Sequence, residues 1–78
     1  MKERDEIVRE FTRQWLDKAE DDLRACKHLI SGGDAFAEAI AFHAQQATEK
    51  FLKAYLVRHQ IEFSKTHDIK RLLELVWT

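Results

Sequence analysis

Two adjacent glycines, Gly32 and Gly33, form the one strong backbone break in a chain of 78 residues that contains no proline. Glycine and proline are the residues that most often interrupt helices and make turns. An all-β fold needs many such turns, so their scarcity favours long helices. The pair therefore predicts two long helices joined by a short hinge, which is an antiparallel helical hairpin.

Apolar residues recur at helical spacing on both sides of this break. Before it, they lie three or four residues apart, which predicts a helix over residues 7–31 with Gly32 at its left-handed C-terminal stop. After it, Asp34 is the predicted N-cap of a second helix that ends near His59 or Gln60. The two apolar stripes consist of Val8, Phe11, Trp15, Ala19, Leu23, Cys26 and Ile30, and of Phe36, Ile40, Ala44, Ala47, Phe51 and Tyr55.

A third, shorter helix follows a short linker. Ser64 or Thr66 is its predicted N-cap, and Asp68 lies in its first turn, where a negative charge is stabilised by the helix dipole. Because no stop signal precedes Thr78, we expect either a truncated chain or a partner that completes the fold. The second helix is apolar on more than one side, and three helices cover it poorly. The predicted fold is all-α, an up-and-down helical bundle in one domain over residues 1–78 that is completed by dimerisation.

Charge and apolar patterning exclude several classes of protein. The formal net charge is −1, from 13 basic and 14 acidic side chains, which argues against a generally basic nucleic-acid binder. No apolar stretch reaches the length of a membrane span, and the charged N-terminus is unlike a signal peptide. Cys26 is the only cysteine and is predicted to be a buried thiol. We expect a cytoplasmic protein with no metal site and no cofactor.

The region between the second and third helices carries the candidate chemistry. Lys65 and His67 lie at the start of the third helix, where free backbone N–H groups favour an anion. Arg58, predicted on the inner stripe of the second helix, can hold a phosphate with two guanidinium nitrogens. An arginine and a histidine suffice for RNA cleavage without metal, the histidine as acid or base and the arginine as oxyanion stabiliser. The alternative is that residues 66–68 only cap the helix and Arg58 pairs with an acidic side chain.

Three blocks of sequence resemble the HEPN (higher eukaryotes and prokaryotes nucleotide-binding) domain family, in the family's order and at its separations. They are Trp15-Leu-x-Lys18-Ala19-Glu20-x-Asp22-Leu23, Ala41-Phe-His43-Ala-Gln45-Gln46-Ala-x-Glu49-Lys50-x-Leu52-Lys53-Ala54, and Lys65-Thr66-His67-Asp68-Ile69-x-x-Leu72-Leu73. The resemblance implies a single HEPN-like helical domain that is commonly dimeric. It also implies, for prokaryotic members, a toxin–antitoxin-like pairing with a minimal nucleotidyltransferase.

The resemblance also implies a set of site residues. In the family's nucleases an arginine followed by a polar residue precedes a histidine, and the composite site forms at the dimer interface. Arg58, His59 and His67 occur in this order, but eight residues separate Arg58 from His67, more than in the family's pattern. The resemblance singles out a polar face of the second helix, for which a solvent-exposed surface is the alternative. The predicted phosphate-binding residues are Arg58, His59, Lys65, Thr66, His67 and Asp68, and the polar face consists of His43, Gln46, Glu49 and Lys53.

Three functions fit these observations. The first is a module that binds a nucleotide or RNA phosphate and pairs with a nucleotidyltransferase partner. The second is a metal-independent endoribonuclease toxin that uses Arg58 and His67. The third is a purely structural helical homodimer. The sequence leaves open whether the protein is an enzyme.

Overall fold

The computed structural model describes residues 3–77, which form three α-helices and no strand. Helix α1 spans Arg4–Ile30, helix α2 spans Ala37–Arg58 and helix α3 spans Ile69–Trp77. Helices α1 and α2 pack along each other as a hairpin, and α3 packs against α2. The all-α hairpin with a third helix is therefore confirmed. Within the described residues, no helix has both the length and the apolar character needed to cross a membrane.

The hinge between α1 and α2 differs from the prediction in two details. Gly33 takes the left-handed conformation, with φ of 70°, whereas Gly32 has φ of −85°. Gly32 is required for a different reason, since a Cβ there would overlap the ring of Phe36. Asp34 does not cap α2 but lies in a 3₁₀ turn, Gly33–Phe36, where its carbonyl oxygen accepts the N–H of Ala37. The backbone hydrogen bond of this turn therefore replaces the predicted cap by the Asp34 side chain.

Helix α3 begins later than its predicted caps imply. Asp68 Oδ1 accepts the backbone N–H of Arg71 at 3.4 Å, so Asp68 is the side-chain cap. Thr66 Oγ1 instead accepts the N–H of Asp68 at 3.0 Å and stabilises the preceding turn. Ser64 lies in the loop. Thr78, where the sequence predicts the helix to run on, lies outside the described residues.

The core is small, and of the predicted α2 stripe only Ala47 is buried, with Ile40 half-buried. Phe36, Phe51 and Tyr55 of the predicted stripe remain 44%, 39% and 44% exposed, whereas Leu56 is fully buried. The reason is that α2 approaches α1 through its small alanines, which leaves the bulky rings outside. The buried residues are Ala19, Cys26, Ala47, Ala54, Leu56 and Leu72, together with Glu49 and Lys53.

Two further features follow from this packing. Cys26 is a buried thiol, as predicted, and its Sγ–H donates to the carbonyl oxygen of Ile40 at 3.5 Å. The domain measures 48 × 27 × 17 Å. Helix α2 keeps several large side chains exposed, since Phe42, Phe51 and Tyr55 are 58%, 39% and 44% exposed.

Helix α2 ends in a Schellman motif. Ile61 N–H donates to the carbonyl oxygen of Leu56 at 2.8 Å, and Gln60 N–H donates to that of Val57 at 3.0 Å. Gln60 takes φ of 56°, in the left-handed region that glycine favours. The motif thus ends the helix within a residue or two of the predicted position. Gln60, a non-glycine residue at positive φ, lowers the stability of the fold there.

Replacing Gln60 should expose that cost. We expect Gln60→Gly to be more stable than Gln60→Ala by about 1 kcal/mol in the free energy of unfolding, because only glycine adopts positive φ without a Cβ penalty. Both variants lose the hydrogen bond that Arg4 Nε donates to Gln60 Oε1 at 2.6 Å, so their difference isolates the backbone. Urea denaturation followed by circular dichroism measures it. Equal midpoints for the two variants would contradict this account.

Candidate functional site

Glu49 places a carboxylate in the interior of the domain, where it is 2% exposed. Its Oε1 accepts hydrogen bonds from Lys53 Nζ at 3.0 Å and from His67 Nδ1 at 2.6 Å. Lys53 is 5% exposed, whereas the His67 side chain is 79% exposed. The alternative of a solvent-exposed pair is therefore wrong, because Glu49 and Lys53 pair inside the fold. A buried charge needs such partners to offset its lost hydration.

Trp15 contributes to this cluster from α1. Lys53 Nζ lies 5.1 Å from the centroid of the Trp15 ring, and Lys18 Nζ lies 5.2 Å from it. An ammonium group over an indole face is attracted by the ring's quadrupole. Lys53 is therefore held by both helices of the hairpin, through Glu49 in α2 and through Trp15 in α1.

A pocket of about 380 Å³ opens beside this cluster. It combines a residue of α1, the polar face of α2 and the linker that leads into α3. The sequence presented the polar face and the linker as two separate features, and the structure brings them together. The lining residues are Trp15, Gln46, Glu49, Lys50, Lys53, Phe63, Lys65 and His67.

A second carboxylate cluster lies further along the seam between α1 and α2. Asp22 accepts hydrogen bonds from His43 Nδ1 at 2.9 Å and from Lys50 Nζ at 2.5 Å. Burial acts to raise the pKa of Asp22, but the hydrogen bonds and charges of Lys50 and His43 outweigh it and hold that pKa below its usual value. His43 of the predicted polar face thus pairs with α1, and Lys50 connects this cluster to the pocket.

The remaining predicted residues lie apart from the pocket. Arg58 is exposed rather than on an inner stripe, and it lines a surface depression with Arg9 of α1. His59 packs against Tyr55, with ring centroids 4.3 Å apart. No hydrogen bond or ion pair joins Arg58 to His67 in the part of the chain that the structure describes. Asp68 caps α3, and Thr66 stabilises the turn before it. The fold therefore brings His67, but not Arg58, to the buried carboxylate.

Sequence reasoning missed two residues of the pocket. Trp15 was predicted as a core residue, and Phe63 as part of the linker. Aromatic rings near a lysine-rich segment are a weak signal of a binding site, because the same rings are typical of any apolar core. Within residues 3–77, no cluster of three or more histidine, cysteine, aspartate or glutamate side chains is placed to hold a metal ion.

Together these observations define a small helical domain with a polar pocket where the linker crosses the hairpin. The chain matches the HEPN domain family over residues 12–78, a range that includes every residue of the pocket. The chain belongs to the HEPN domain family. Neither the curated proteins nor the solved structures give a significant match to it.

Removing one member of the buried ion pair should cost more than removing both. Lys53→Met and Glu49→Leu each leave one uncompensated charge in the interior, and each is expected to lower the free energy of unfolding by about 3 kcal/mol or more. The double variant should recover much of that loss, because no charge remains buried. Urea denaturation in sucrose, which favours the folded state, measures all four proteins. If the double variant loses as much free energy of unfolding as the two single variants together, the pairing is contradicted.

The lowered pKa of Asp22 predicts a loss of stability in acid. Its contribution is fully present above the unfolded pKa of about 3.9 and disappears as the pH falls through the lower folded value. Asp22→Asn should therefore be less stable than the wild type by about 1–2 kcal/mol near neutral pH, and the gap should close in acid.

Asp21→Asn is the matched control, because Asp21 is an exposed neighbour whose partner Arg24 is also exposed. Its effect should stay below about 0.5 kcal/mol at neutral pH. Urea midpoints across a pH series compare the three proteins. A gap for Asp22→Asn that is constant with pH would refute the role of the carboxylate.

Proposed function

We propose that this HEPN domain binds the phosphate of a nucleotide or of RNA in the pocket beside Glu49. The observation that supports it is the meeting of Lys65, His67 and Trp15 in one cavity. Lys65 has no ion-pair partner in the described residues, and His67 uses only its Nδ1 in the hydrogen bond to Glu49. The Lys65 ammonium is therefore available to a phosphate oxygen, and His67 Nε2, whose ring gives its Nδ1–H to Glu49, can accept a hydrogen bond from a ribose hydroxyl.

The local charge favours an anion although the whole chain carries a net charge of −1. Lys50, Lys53 and Lys65 line the pocket, while Asp22 and Glu49 are the carboxylates that pair there. Three cations against two anions leave the site positive even with His67 neutral. A local positive field attracts phosphate independently of the protein's net charge.

The exposed aromatic side chains of α2 support a role in assembly. Phe51 and Tyr55, four residues apart on one face, are 39% and 44% exposed, and Phe42 on another face is 58% exposed. Aromatic residues are enriched at protein interfaces. We propose that the domain is a cytoplasmic homodimer and that it also pairs with a minimal nucleotidyltransferase in a toxin–antitoxin-like module. Family membership supports this proposal, since HEPN domains commonly dimerise.

Binding of a labelled single-stranded RNA in EDTA, followed by fluorescence anisotropy, tests the phosphate site. We expect Lys65→Ala and His67→Ala each to weaken binding about 10-fold, because the first removes a charge-assisted donor to phosphate and the second removes an acceptor for a ribose hydroxyl. Lys70→Ala is the matched control, since Lys70 is an exposed lysine of α3 that lines a different depression. An equal loss in Lys70→Ala would show non-specific attraction instead, and unchanged binding in Lys65→Ala would refute the site.

A metal-independent endoribonuclease that uses Arg58 and His67 is the second candidate function. The hydrogen bond to Glu49 favours it, because a carboxylate on Nδ1 fixes the tautomer of His67 and leaves Nε2 as an acid or base. Within one chain Arg58 lines a separate depression, so this function requires Arg58 from a partner protomer.

The same RNA incubated in EDTA separates the two functions. Cleavage by the wild type but not by a folded His67→Ala would support the nuclease. Intact RNA with retained binding would support the binding module. Cleavage by both proteins would place the activity outside His67.

A further inference from the structure

We infer that the pocket recognises an unpaired guanine base through Gln46 and Glu49. This inference rests on the proposed nucleotide- or RNA-binding function and names the ligand that the site takes. It starts from the hydrogen-bonding groups that the fold leaves without partners.

Two groups of the pocket lack partners. Gln46 is half-buried and lines the pocket, and its amide makes no hydrogen bond in the described residues. Glu49 Oε2 is buried and has no hydrogen-bond partner there either, although Oε1 accepts two. Buried polar groups are nearly always satisfied, so unsatisfied ones beside a cavity indicate a missing ligand or water.

These groups form a defined pattern on one face of α2. Residues three apart on a helix are neighbours, so Gln46 and Glu49 share a face of α2, and both line the pocket. The amide offers one donor and one acceptor. Glu49 Oε2 is closed to solvent in this structure, so a ligand reaches this second acceptor when the carboxylate rotates toward the pocket. The pocket therefore offers a donor followed by two acceptors.

Guanine complements this pattern with its Watson–Crick edge. Its O6 accepts from the Gln46 amide nitrogen, its N1–H donates to the amide oxygen, and its N2 amino group donates to Glu49 Oε2. Adenine has no donor at the third position, and cytosine and uracil place a carbonyl oxygen against the carboxylate. Only an unpaired base has this edge free, since a base in a duplex uses its Watson–Crick edge to pair with the complementary base.

The rest of the pocket suits the remainder of a guanine nucleotide. Trp15 and Phe63 supply aromatic surface for a purine ring. The volume of about 380 Å³ is at the small end of ligand sites, which fits one nucleotide rather than a longer segment. Lys65 lies exposed at the same pocket and is available to the phosphate.

Calorimetric titration of the full chain with guanosine, inosine and adenosine monophosphates tests the base. Inosine monophosphate is guanosine monophosphate without the N2 amino group, so it probes Glu49 without altering a buried residue. We expect guanosine monophosphate to bind about 10-fold more tightly than inosine monophosphate, which leaves Oε2 unpaired, and still more tightly than adenosine monophosphate.

The Gln46→Leu variant tests the amide. It should weaken binding of guanosine monophosphate about 10-fold, because two of the three base contacts are lost, while Glu49 keeps the preference over inosine monophosphate and Lys65 continues to bind phosphate. Gln45→Leu is the matched control, because Gln45 is exposed on the same helix and does not line the pocket. It should leave all three affinities unchanged. An unchanged affinity for guanosine monophosphate in a folded Gln46→Leu would overturn the inference.

A second arm distinguishes free nucleotide from RNA. Single-stranded RNA with one guanine should bind, and the same strand in a duplex should not. If the single strand binds and free guanosine monophosphate does not, the guanine that the pocket takes comes from RNA. Equal affinity for the three monophosphates, still reduced by Lys65→Ala, would overturn the guanine site and leave the phosphate site standing. No binding of any nucleotide or RNA would overturn the proposed function itself.

Discussion

The structure depends on the carboxylate of Glu49 and on the groups that donate hydrogen bonds to it inside the fold. An unpaired carboxylate at 2% exposure would cost several kcal/mol. Lys53 on the same helix and His67 on the linker offset that cost through one oxygen. Because Lys53 also lies over Trp15, the pairing connects α1, α2 and the segment before α3. The cavity depends on these contacts, because Trp15, Glu49, Lys53 and His67 all line it.

Asp22 repeats the same arrangement at another point of the hairpin. Each of the two carboxylates accepts one lysine and one histidine. The buried apolar residues of the two helices are mostly small, namely Ala19, Cys26, Ala47, Ala54 and Leu56. The directional hydrogen bonds that His43 and Lys50 donate to Asp22 across the α1–α2 seam add to this packing and help to align the helices. Lys50 donates to Asp22 and also lines the pocket, so the polar seam and the pocket are continuous.

Family membership and the pocket give complementary information about function. The HEPN match covers residues 12–78 and connects the chain with nucleotide or RNA chemistry. The pocket indicates where such a ligand would bind, and its unpaired Gln46 amide and Glu49 oxygen indicate what the ligand would donate and accept. Arg58 lies in a separate depression, so a catalytic role for it depends on how two copies of the chain assemble.

The sequence by itself determined the helical class, the hairpin and the position of the break, because helical periodicity and glycine placement act locally along the chain. It also identified Glu49, Lys53 and His67 as notable residues. Only the tertiary structure decided that the first two are buried, that His67 joins them, and that Trp15 lines the same cavity. Those contacts join residues 15 to 67, and their existence depends on which side of α2 faces α1. A helix apolar on several sides does not settle that from its sequence, because close packing of alanines and pairing of charges make the choice.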